Sequence, residues 1–147
     1  MSLFVSNFTQ RVDSKGRVSI PSAYRAVLQR DPLGALFCAP APDRPAIDAG
    51  GQMLVEEIRQ FIARFPLYSE EREQFSAALF GTSETLKIDA EGRLVLTEAL
   101  KAHAGIADSV TFVGLGHKFQ FWEPQRFQTR LALATEKVRA LRMQAGE

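Results

Sequence analysis

The sequence contains little cysteine and no long apolar stretch. A single cysteine stands among its 147 residues, so no disulfide can form within the chain, and we expect Cys38 to be a small buried group. No apolar run approaches the roughly 18 residues that a membrane helix requires. The first residues, MSLFVSNFTQR, lack the basic segment and apolar stretch of a secretion signal. These absences predict a cytoplasmic protein without a membrane partner.

The residue patterns of common catalytic and metal sites are missing as well. No Ser/His/Asp set or carboxylate pair stands out, and His103 and His117 have no Cys, His or acidic residue at ligand spacing. The segment GLG at 114–116 lacks the third glycine of a dinucleotide-binding loop. The sequence therefore predicts no enzyme, no cofactor, no metal and no small-molecule substrate.

The net charge is only +1, but the charges are unevenly distributed. Residues 1–30 hold five basic residues and one acidic residue, and residues 125–142 hold the same numbers. Residues 31–124 hold eight basic and fourteen acidic residues. A local basic surface can bind an anion whatever the total charge. For the C-terminal set, a solvated helix face remains an alternative.

A short phrase occurs twice in the chain. RVDSKGRVSIP at residues 11–21 returns 76 positions later as KIDAEGRLVLT at residues 87–97. Asp13 and Gly16 fit the first and fourth positions of a type I turn, and glycine accepts a left-handed backbone without strain. Asp89 and Gly92 occupy the same places in the second copy. Each phrase therefore predicts a β-hairpin with a three-residue loop.

The predicted hairpin register assigns every side chain to one of two faces. It makes three cross-strand pairs in the first copy: Asp13 with Arg17, Val12 with Val18, and Gln10 with Ile20. One face is then apolar except for Gln10, and the other face is polar. The side chains of the second copy divide between an apolar and a polar face in the same way, and only Val95 interrupts the polar face.

The two phrases open units of similar plan. After each hairpin come a short helix, at 21–30 or 97–105, and candidate strands at 35–40, 109–115 and 118–124. One such unit buries too little surface to be stable alone, but two units can pair about a pseudo-twofold axis and share a core. We predict an α+β fold with a first unit at 1–50, a helical insert at 51–80, a second unit at 81–123 and a C-terminal helix at 124–147. These segments form one compact domain.

Apolar spacing predicts the helices of the insert and the tail. Insert residues 50–65 have an apolar stripe at helical spacing, which Pro66 ends, and a second helix follows from the cap Ser69 to Gly81. The stripe consists of Leu54, Ile58, Phe61 and Phe65. The tail helix has a similar stripe that needs a partner, either the body of this chain or another subunit: Phe127, Leu131, Ala134, Val138 and Leu141. The stretch APAPDRPAIDAGG, residues 39–51, is rich in Pro and Gly and is predicted to be a loop.

These motifs resemble those of the MraZ family of bacterial transcription factors. RVDSKGRVSIPSAYR is similar to the first signature of the family, KIDAEGRLVLTEAL to the second, and FVGLGHKFQFWEPQRF to the segment that follows. The resemblance covers most of the chain. Two departures stand out: Glu91 replaces the cation of Lys15, and Thr97 replaces the usual proline that Pro21 represents in the first copy.

The resemblance implies more than the spacing does. It implies two fused AbrB-like units whose hairpins swap strands into a small β-barrel, and subunits that assemble into a ring homo-oligomer. It also implies binding to direct repeats in promoter DNA upstream of the division and cell-wall operon that contains its own gene, and hence a nucleoid-associated regulator. The residues that contact double-stranded DNA would be Lys15 and Arg17.

Each candidate DNA contact also has a structural interpretation. Arg17 faces Asp13, and an ion pair between them is compatible with DNA contact, because a carboxylate can hold a guanidinium in place for a phosphate or a base. Lys15 at the turn tip and Arg11 on the same face are candidates for phosphate contact. Arg93 is also a candidate, although its acidic neighbours favour a structural role.

Two alternatives stay open at this point. AbrB-like hairpin proteins also serve as antitoxins or interaction scaffolds, which would make this chain a protein-binding module instead of a DNA-binding regulator. Separately, Phe119, Phe121 and Trp122 could stack on bases, but the alternation in KFQFWEP favours core or subunit-contact positions.

Overall fold

The computed structural model describes residues 3–146, in which helices and strands alternate in two similar series. This α+β composition confirms the predicted class. The elements of the first half and the insert are β1 (Asn7–Arg11), β2 (Arg17–Ser19), α1 (Ser22–Gln29), β3 (Leu36–Pro40), β4 (Ala46–Gly50), α2 (Gln52–Ile62) and α3 (Glu70–Leu79). Those of the second half are β5 (Glu84–Leu86), β6 (Arg93–Val95), α4 (Glu98–Ala104), β7 (Ser109–Gly114), β8 (Phe119–Trp122) and α5 (Pro124–Gln144).

The two halves are joined by exchanged strands. A six-stranded sheet has the order β1-β7-β8-β4-β3-β5, and β2 pairs with β6 in a separate two-stranded ribbon. The first strand of each half thus pairs with a later strand of the other half, β1 with β7 and β5 with β3. In the ribbon, Val18 lies opposite its counterpart Leu94. Each half therefore contributes strands to both the six-stranded sheet and the ribbon.

The two turns form as predicted, but the strands that flank each turn pair with other strands and not with each other. In the first turn the Gly16 N–H donates to the Asp13 carbonyl at 3.0 Å, and Gly16 has a φ of 80°. The next residue outward, Val12, donates its N–H to Asp108 of the other half at 2.9 Å. The predicted pairs Val12–Val18 and Gln10–Ile20 are therefore wrong. Alternation assigns side chains to faces but does not identify the partner strand.

The predicted assignment of side chains to faces is confirmed. Val12, Val18, Ile20, Leu94 and Leu96 are at most 8% exposed. They belong to a single core between the ribbon, the six-stranded sheet and helices α1 and α4. Phe119 and Phe121 lie in the same core and Trp122 is 4% exposed, so these rings are core residues rather than surfaces for stacked bases.

The six-stranded sheet is open in the structure. Its edge strands β1 and β5 are not hydrogen-bonded to each other within residues 3–146, so the hydrogen-bond pattern does not confirm the predicted closed β-barrel. The ribbon instead packs across the inner face of the sheet, and the shared apolar residues connect the two layers.

The prediction of a loop at residues 39–51 is wrong. Residues 46–50 form β4, which pairs with both β3 and β8, and Ala46, Ile47 and Ala49 are fully buried. Pro42 and Pro45 lie in the turn before the strand, where a missing N–H is tolerated. Small side chains gave this strand a weak sequence signal, and tertiary burial overrides local propensity.

The insert and the tail form the expected helices, but fewer of their apolar residues are buried in the main core than the apolar stripes predict. Ser69 caps α3, since its hydroxyl accepts from the Arg72 N–H at 3.2 Å. Phe61 and Phe65 lie against Phe75 of α3 and not in the main core. In α5 only Phe127 is buried, and the rest of the predicted stripe is exposed. Within residues 3–146, no helix combines the length and apolar character needed to cross a membrane.

Candidate nucleic-acid interface

The β2–β6 ribbon brings the two repeated turns onto one surface. Arg17 lies opposite Val95 and Ser19 opposite Arg93, and these four side chains point away from the core because successive residues of a strand face opposite sides. The Leu96 N–H donates to the Gly16 carbonyl at 2.8 Å, which fixes the first turn to the strand of the other half. The structure therefore brings Arg17 and Arg93, which are 76 positions apart in sequence, together on neighbouring strands.

The first turn is organised around the Asp13 carboxylate. Its Oδ1 accepts hydrogen bonds from the backbone N–H groups of Lys15 at 2.9 Å and Arg17 at 2.8 Å. Its Oδ2 accepts from Arg17 Nε at 2.7 Å. Neither Nη of Arg17 donates to a residue within the range 3–146. The guanidinium is thus positioned through Nε while its outer N–H groups stay available to a ligand.

The second turn has the same backbone but different electrostatics. Asp89 Oδ1 accepts from the N–H groups of Glu91 and Arg93, each at 2.9 Å. Arg93 Nη2 pairs with Glu91 Oε2 at 2.7 Å, and its Nε lies 3.4 Å from Asp89 Oδ2. Two carboxylates therefore surround this guanidinium, whereas one holds Arg17. The Arg93 guanidinium therefore has ion-pair partners in both Asp89 and Glu91.

The local charge of the two turns follows from these neighbours. Arg11 and Lys15 are exposed and Arg17 is half-buried, so residues 11–17 carry three cations and one carboxylate. The second turn presents Lys87 and Arg93 against Asp89 and Glu91, and its formal charge is zero. Residues 11–17 therefore have a net positive charge, whereas the second turn is neutral apart from Arg25, which reaches it from α1.

Sequence reasoning missed Arg25, a further cation near the second turn. Its Nε donates to the Ile20 carbonyl at 3.2 Å. A Cβ added at Gly92 would lie 2.5 Å from Arg25 Nη1, so the guanidinium crosses directly over the glycine. The φ of 80° is the reason that this position favours glycine. The basic composition of residues 1–30 indicated that Arg25 could belong to a cationic surface. Its contact with Gly92 of the other half could not be predicted from the sequence.

The pKa of Asp13 gives a testable consequence of this geometry. The Arg17 N–H, followed by the Arg17 side chain, lowers the pKa of the Asp13 carboxyl below its usual 3.8. The turn contact is therefore fully formed above pH 3.8 and is lost as the pH falls through the lower value of the folded protein. We expect NMR titration to give a midpoint below 3.8 for Asp13, and DNA binding that does not change between pH 5 and 8 on account of this group.

The matched control for that titration is Asp43, whose pKa is also lowered, but chiefly through the side chain of Arg44. Replacing Arg44 by Ala should return the midpoint of Asp43 towards 3.8. Replacing Arg17 by Ala should return Asp13 only partly, because the backbone N–H remains. A midpoint of Asp13 at or above 3.8 in the native protein would contradict the hydrogen-bonding arrangement of the turn.

Other titratable groups lie in ordinary structural settings. Cys38 is fully buried, and burial raises the pKa of its thiol. Burial also raises the pKa of Tyr24 to about 12, and its hydroxyl donates to the Ser6 carbonyl at 2.7 Å. No group of His, Cys, Asp and Glu side chains within residues 3–146 has the arrangement needed to hold a metal ion.

Comparison with known proteins identifies relatives over nearly the full length. The family model described as "MraZ protein, putative antitoxin-like" matches residues 79–142. A protein of Azorhizobium caulinodans described as "Transcriptional regulator MraZ" is 60% identical over 146 residues, which are 99% of this chain and 93% of that protein. Proteins with the same description are 57% identical in Xanthobacter autotrophicus, over 99% of this chain and 93% of theirs, and 42% identical in Rickettsia bellii, over 97% of this chain and 98% of theirs.

The predicted resemblance is thereby confirmed at the level of the family. The compared regions cover 99% of this chain in the two most similar of these proteins. The relatives are described as transcriptional regulators and not as enzymes. This chain belongs to the MraZ family.

Proposed function

We propose that this chain is a sequence-specific regulator of transcription that binds double-stranded DNA through its first turn. The observation that supports this most directly is the Arg17 guanidinium, which Asp13 orients in a segment that also carries the exposed cations Arg11 and Lys15. Arg11 and Lys15 bind phosphates, and binding releases counterions from the DNA. Arg17, with its outer N–H groups unoccupied, reads a guanine edge in the major groove. Arg93 contributes less, because Glu91 repels the DNA backbone.

The form in which we propose the protein acts is a ring of identical subunits on direct repeats upstream of its own division and cell-wall operon. Within each subunit the units at 1–50 and 81–123 are AbrB-like and exchange hairpins, and the exchanged strand pairing supports this assignment. One turn with three cations binds weakly. When one turn of a ring is bound, the other turns are held near the DNA at a high effective concentration. Repeated DNA sites let several turns bind at once, which raises the overall affinity. Such a regulator is cytoplasmic and associated with the nucleoid.

The test of this function is retardation of DNA from upstream of the protein's own gene. We expect the purified chain to retard this DNA more strongly than a shuffled fragment of equal length and composition. The observed binding constant should fall steeply with salt, with a slope of log K against log salt of about −0.9 for each phosphate contacted. Equal affinity for both fragments, or binding that does not respond to salt, would contradict the proposal.

A protein-interaction module, as in antitoxins, is the second candidate function. The wording "antitoxin-like" in the description of the matching family model favours it. Against it stands the tail, since α5 is a regular helix of 21 residues and not an extended segment that wraps a partner. Recovery of one stoichiometric protein on the immobilised chain, without affinity for the upstream DNA, would favour this alternative.

A further inference from the structure

The tip of the helical insert exposes apolar side chains beside acidic ones. Residues 63–69 join α2 to α3, and within them Leu67 is 65% exposed and Tyr68 is 90% exposed. Glu70 and Glu71 follow directly in the first turn of α3. Neither glutamate forms an ion pair with another residue in the range 3–146. We refer to these four residues, Leu67, Tyr68, Glu70 and Glu71, as the insert tip.

The insert tip is held in one conformation although it is exposed. Tyr68 has a φ of 67°, which is unfavourable for a side chain with a Cβ and persists only where neighbours impose it. The Ser69 N–H donates to the Pro66 carbonyl at 3.0 Å, and Arg72 Nη1 donates to the Phe65 carbonyl at 3.2 Å. These hydrogen bonds fix the backbone on both sides of Tyr68, so less backbone entropy is lost when its exposed ring is buried in an interface.

A groove of opposite charge lies where α5 leaves the sheet. Its volume is about 350 Å³, and its lining includes Pro45, Trp122, Arg126, Arg130 and Leu133. Trp122 lies at its base with the Arg130 guanidinium 5.8 Å from the ring centroid, and Leu133 is 66% exposed at its side. Arg126 and Arg130 are one helical turn apart, and the Arg126 guanidinium lies over Gly105 after α4. Glu123 also lines the groove, so its lining carries two cations and one carboxylate. We refer to Pro45, Trp122, Arg126, Arg130 and Leu133 as the α5 groove.

We propose that the insert tip of one copy of this chain docks into the α5 groove of a second copy. Tyr68 enters the groove beside the exposed Leu133, and a buried tyrosine removes about 150–250 Å² from water. Glu70 and Glu71 then meet Arg126 and Arg130, and this opposite charge determines the orientation. The charge complementarity and the exposed apolar residues on both surfaces are the reasons for choosing a second copy as the occupant.

The contact is head-to-tail, because the insert tip and the α5 groove are different patches of the chain. Each copy keeps a free tip at one end and a free groove at the other, so further copies add in the same way. Such contacts close into a ring when the rotation between neighbours divides a full turn. This inference rests on the oligomer proposed above and names the two surfaces that build it. It also leaves the cationic first turn outside the contact.

The first test is the substitution Tyr68→Gly, measured by sedimentation velocity and native mass spectrometry over a range of protein concentrations. Glycine accepts a positive φ, so the fold of the single chain is retained while the anchor is lost. We expect the concentration of half-assembly to rise at least about tenfold. The matched control is Leu141→Asp, which changes an α5 residue that is 52% exposed but lies outside the groove and should leave assembly unchanged.

The second test reverses the charges of each surface in separate proteins. One variant carries Glu70→Arg and Glu71→Arg, and the other carries Arg126→Glu and Arg130→Glu. Each alone should assemble poorly, because like charges meet in every contact. An equimolar mixture should assemble again with both variants in equal numbers, since every contact then joins opposite charges.

The outcomes separate this inference from the proposed function. A monomeric native protein at all concentrations would overturn both the ring and this contact. If the native protein is oligomeric and Tyr68→Gly and both charge-reversed variants retain the native mass, the contact alone is wrong and the ring is built by other surfaces. Loss of assembly in the Leu141→Asp control, with assembly retained in the tip variants, would assign the interface to the exposed stripe of α5 instead.

Discussion

Replacing Arg17 by alanine is expected to lower affinity for the upstream DNA by about 10- to 100-fold per contacting turn, while the fold and subunit assembly remain unchanged. A well-formed contact between arginine and a base contributes roughly 1–3 kcal/mol of discrimination, and the outer N–H groups of Arg17 are the ones available for it. In a ring that engages several repeats, these losses add in free energy and retardation should disappear. The measurement is a titration of labelled DNA at constant salt, with circular dichroism and sedimentation on the same samples.

The chain provides an internal control for this experiment at the equivalent position of the second turn. Arg93→Ala removes the same chemical group from the same ribbon, but from a site where Glu91 and Asp89 already neutralise it. We expect a smaller loss of affinity, below about fivefold, which is near 1 kcal/mol. If Arg17→Ala binds like the native protein, or if Arg93→Ala is the more damaging change, the assignment of recognition to the first turn is wrong.

Replacing Phe119 by alanine is expected to lower the free energy of unfolding by about 3–5 kcal/mol. Phe119 is fully buried, and its ring centroid lies 4.8 Å from Phe4, 4.7 Å from Tyr24 and 5.8 Å from Phe121. It therefore connects β8 of the second half to α1 of the first. The loss combines the transfer free energy of the ring with the cavity that a packed core cannot close.

Chemical denaturation at one fixed protein concentration measures this change, because assembly also contributes to apparent stability. Phe65→Ala is the matched control, since the ring of Phe65 contacts the rings of Phe61 and Phe75 within the insert and is partly exposed. We expect its cost to be less than half that of Phe119→Ala. A loss below about 1 kcal/mol for Phe119→Ala would contradict the view that the two halves share one core.

The parts of the structure that could be predicted from sequence are those with local causes. The turns depend on Asp and Gly at fixed spacing, and the Thr97 and Ser69 caps depend on one hydroxyl before a helix. The faces of the strands follow from alternation over four or five residues. Each of these features depends on neighbours in sequence, and each agrees with the structure.

The features that were mispredicted depend on contacts between the halves. Alternation in β1 is satisfied equally well by β2 and by β7, and only the shared core of both halves favours β7. β4 gave a weak signal because Ala46 and Ala49 become apolar core only when β3 and β8 lie on either side. The same holds for the site. The cations of the first turn could be predicted from the sequence, but the position of Arg25 over Gly92 depends on the packing of the two halves.

The antiparallel ribbon, in which Val18 faces Leu94, places the two turns at equivalent positions. This arrangement affects how substitutions can alter the charge of each turn. In a dimer of identical small units, any substitution at one turn would appear at both turns. A glutamate that pairs with the arginine of one turn would then also neutralise the arginine of the other turn. Here both turns belong to one polypeptide, so Lys15 and Glu91 can differ. Covalent fusion thus permits equivalent positions to diverge in charge, as the proposed division between DNA recognition in the first half and a structural role in the second half requires.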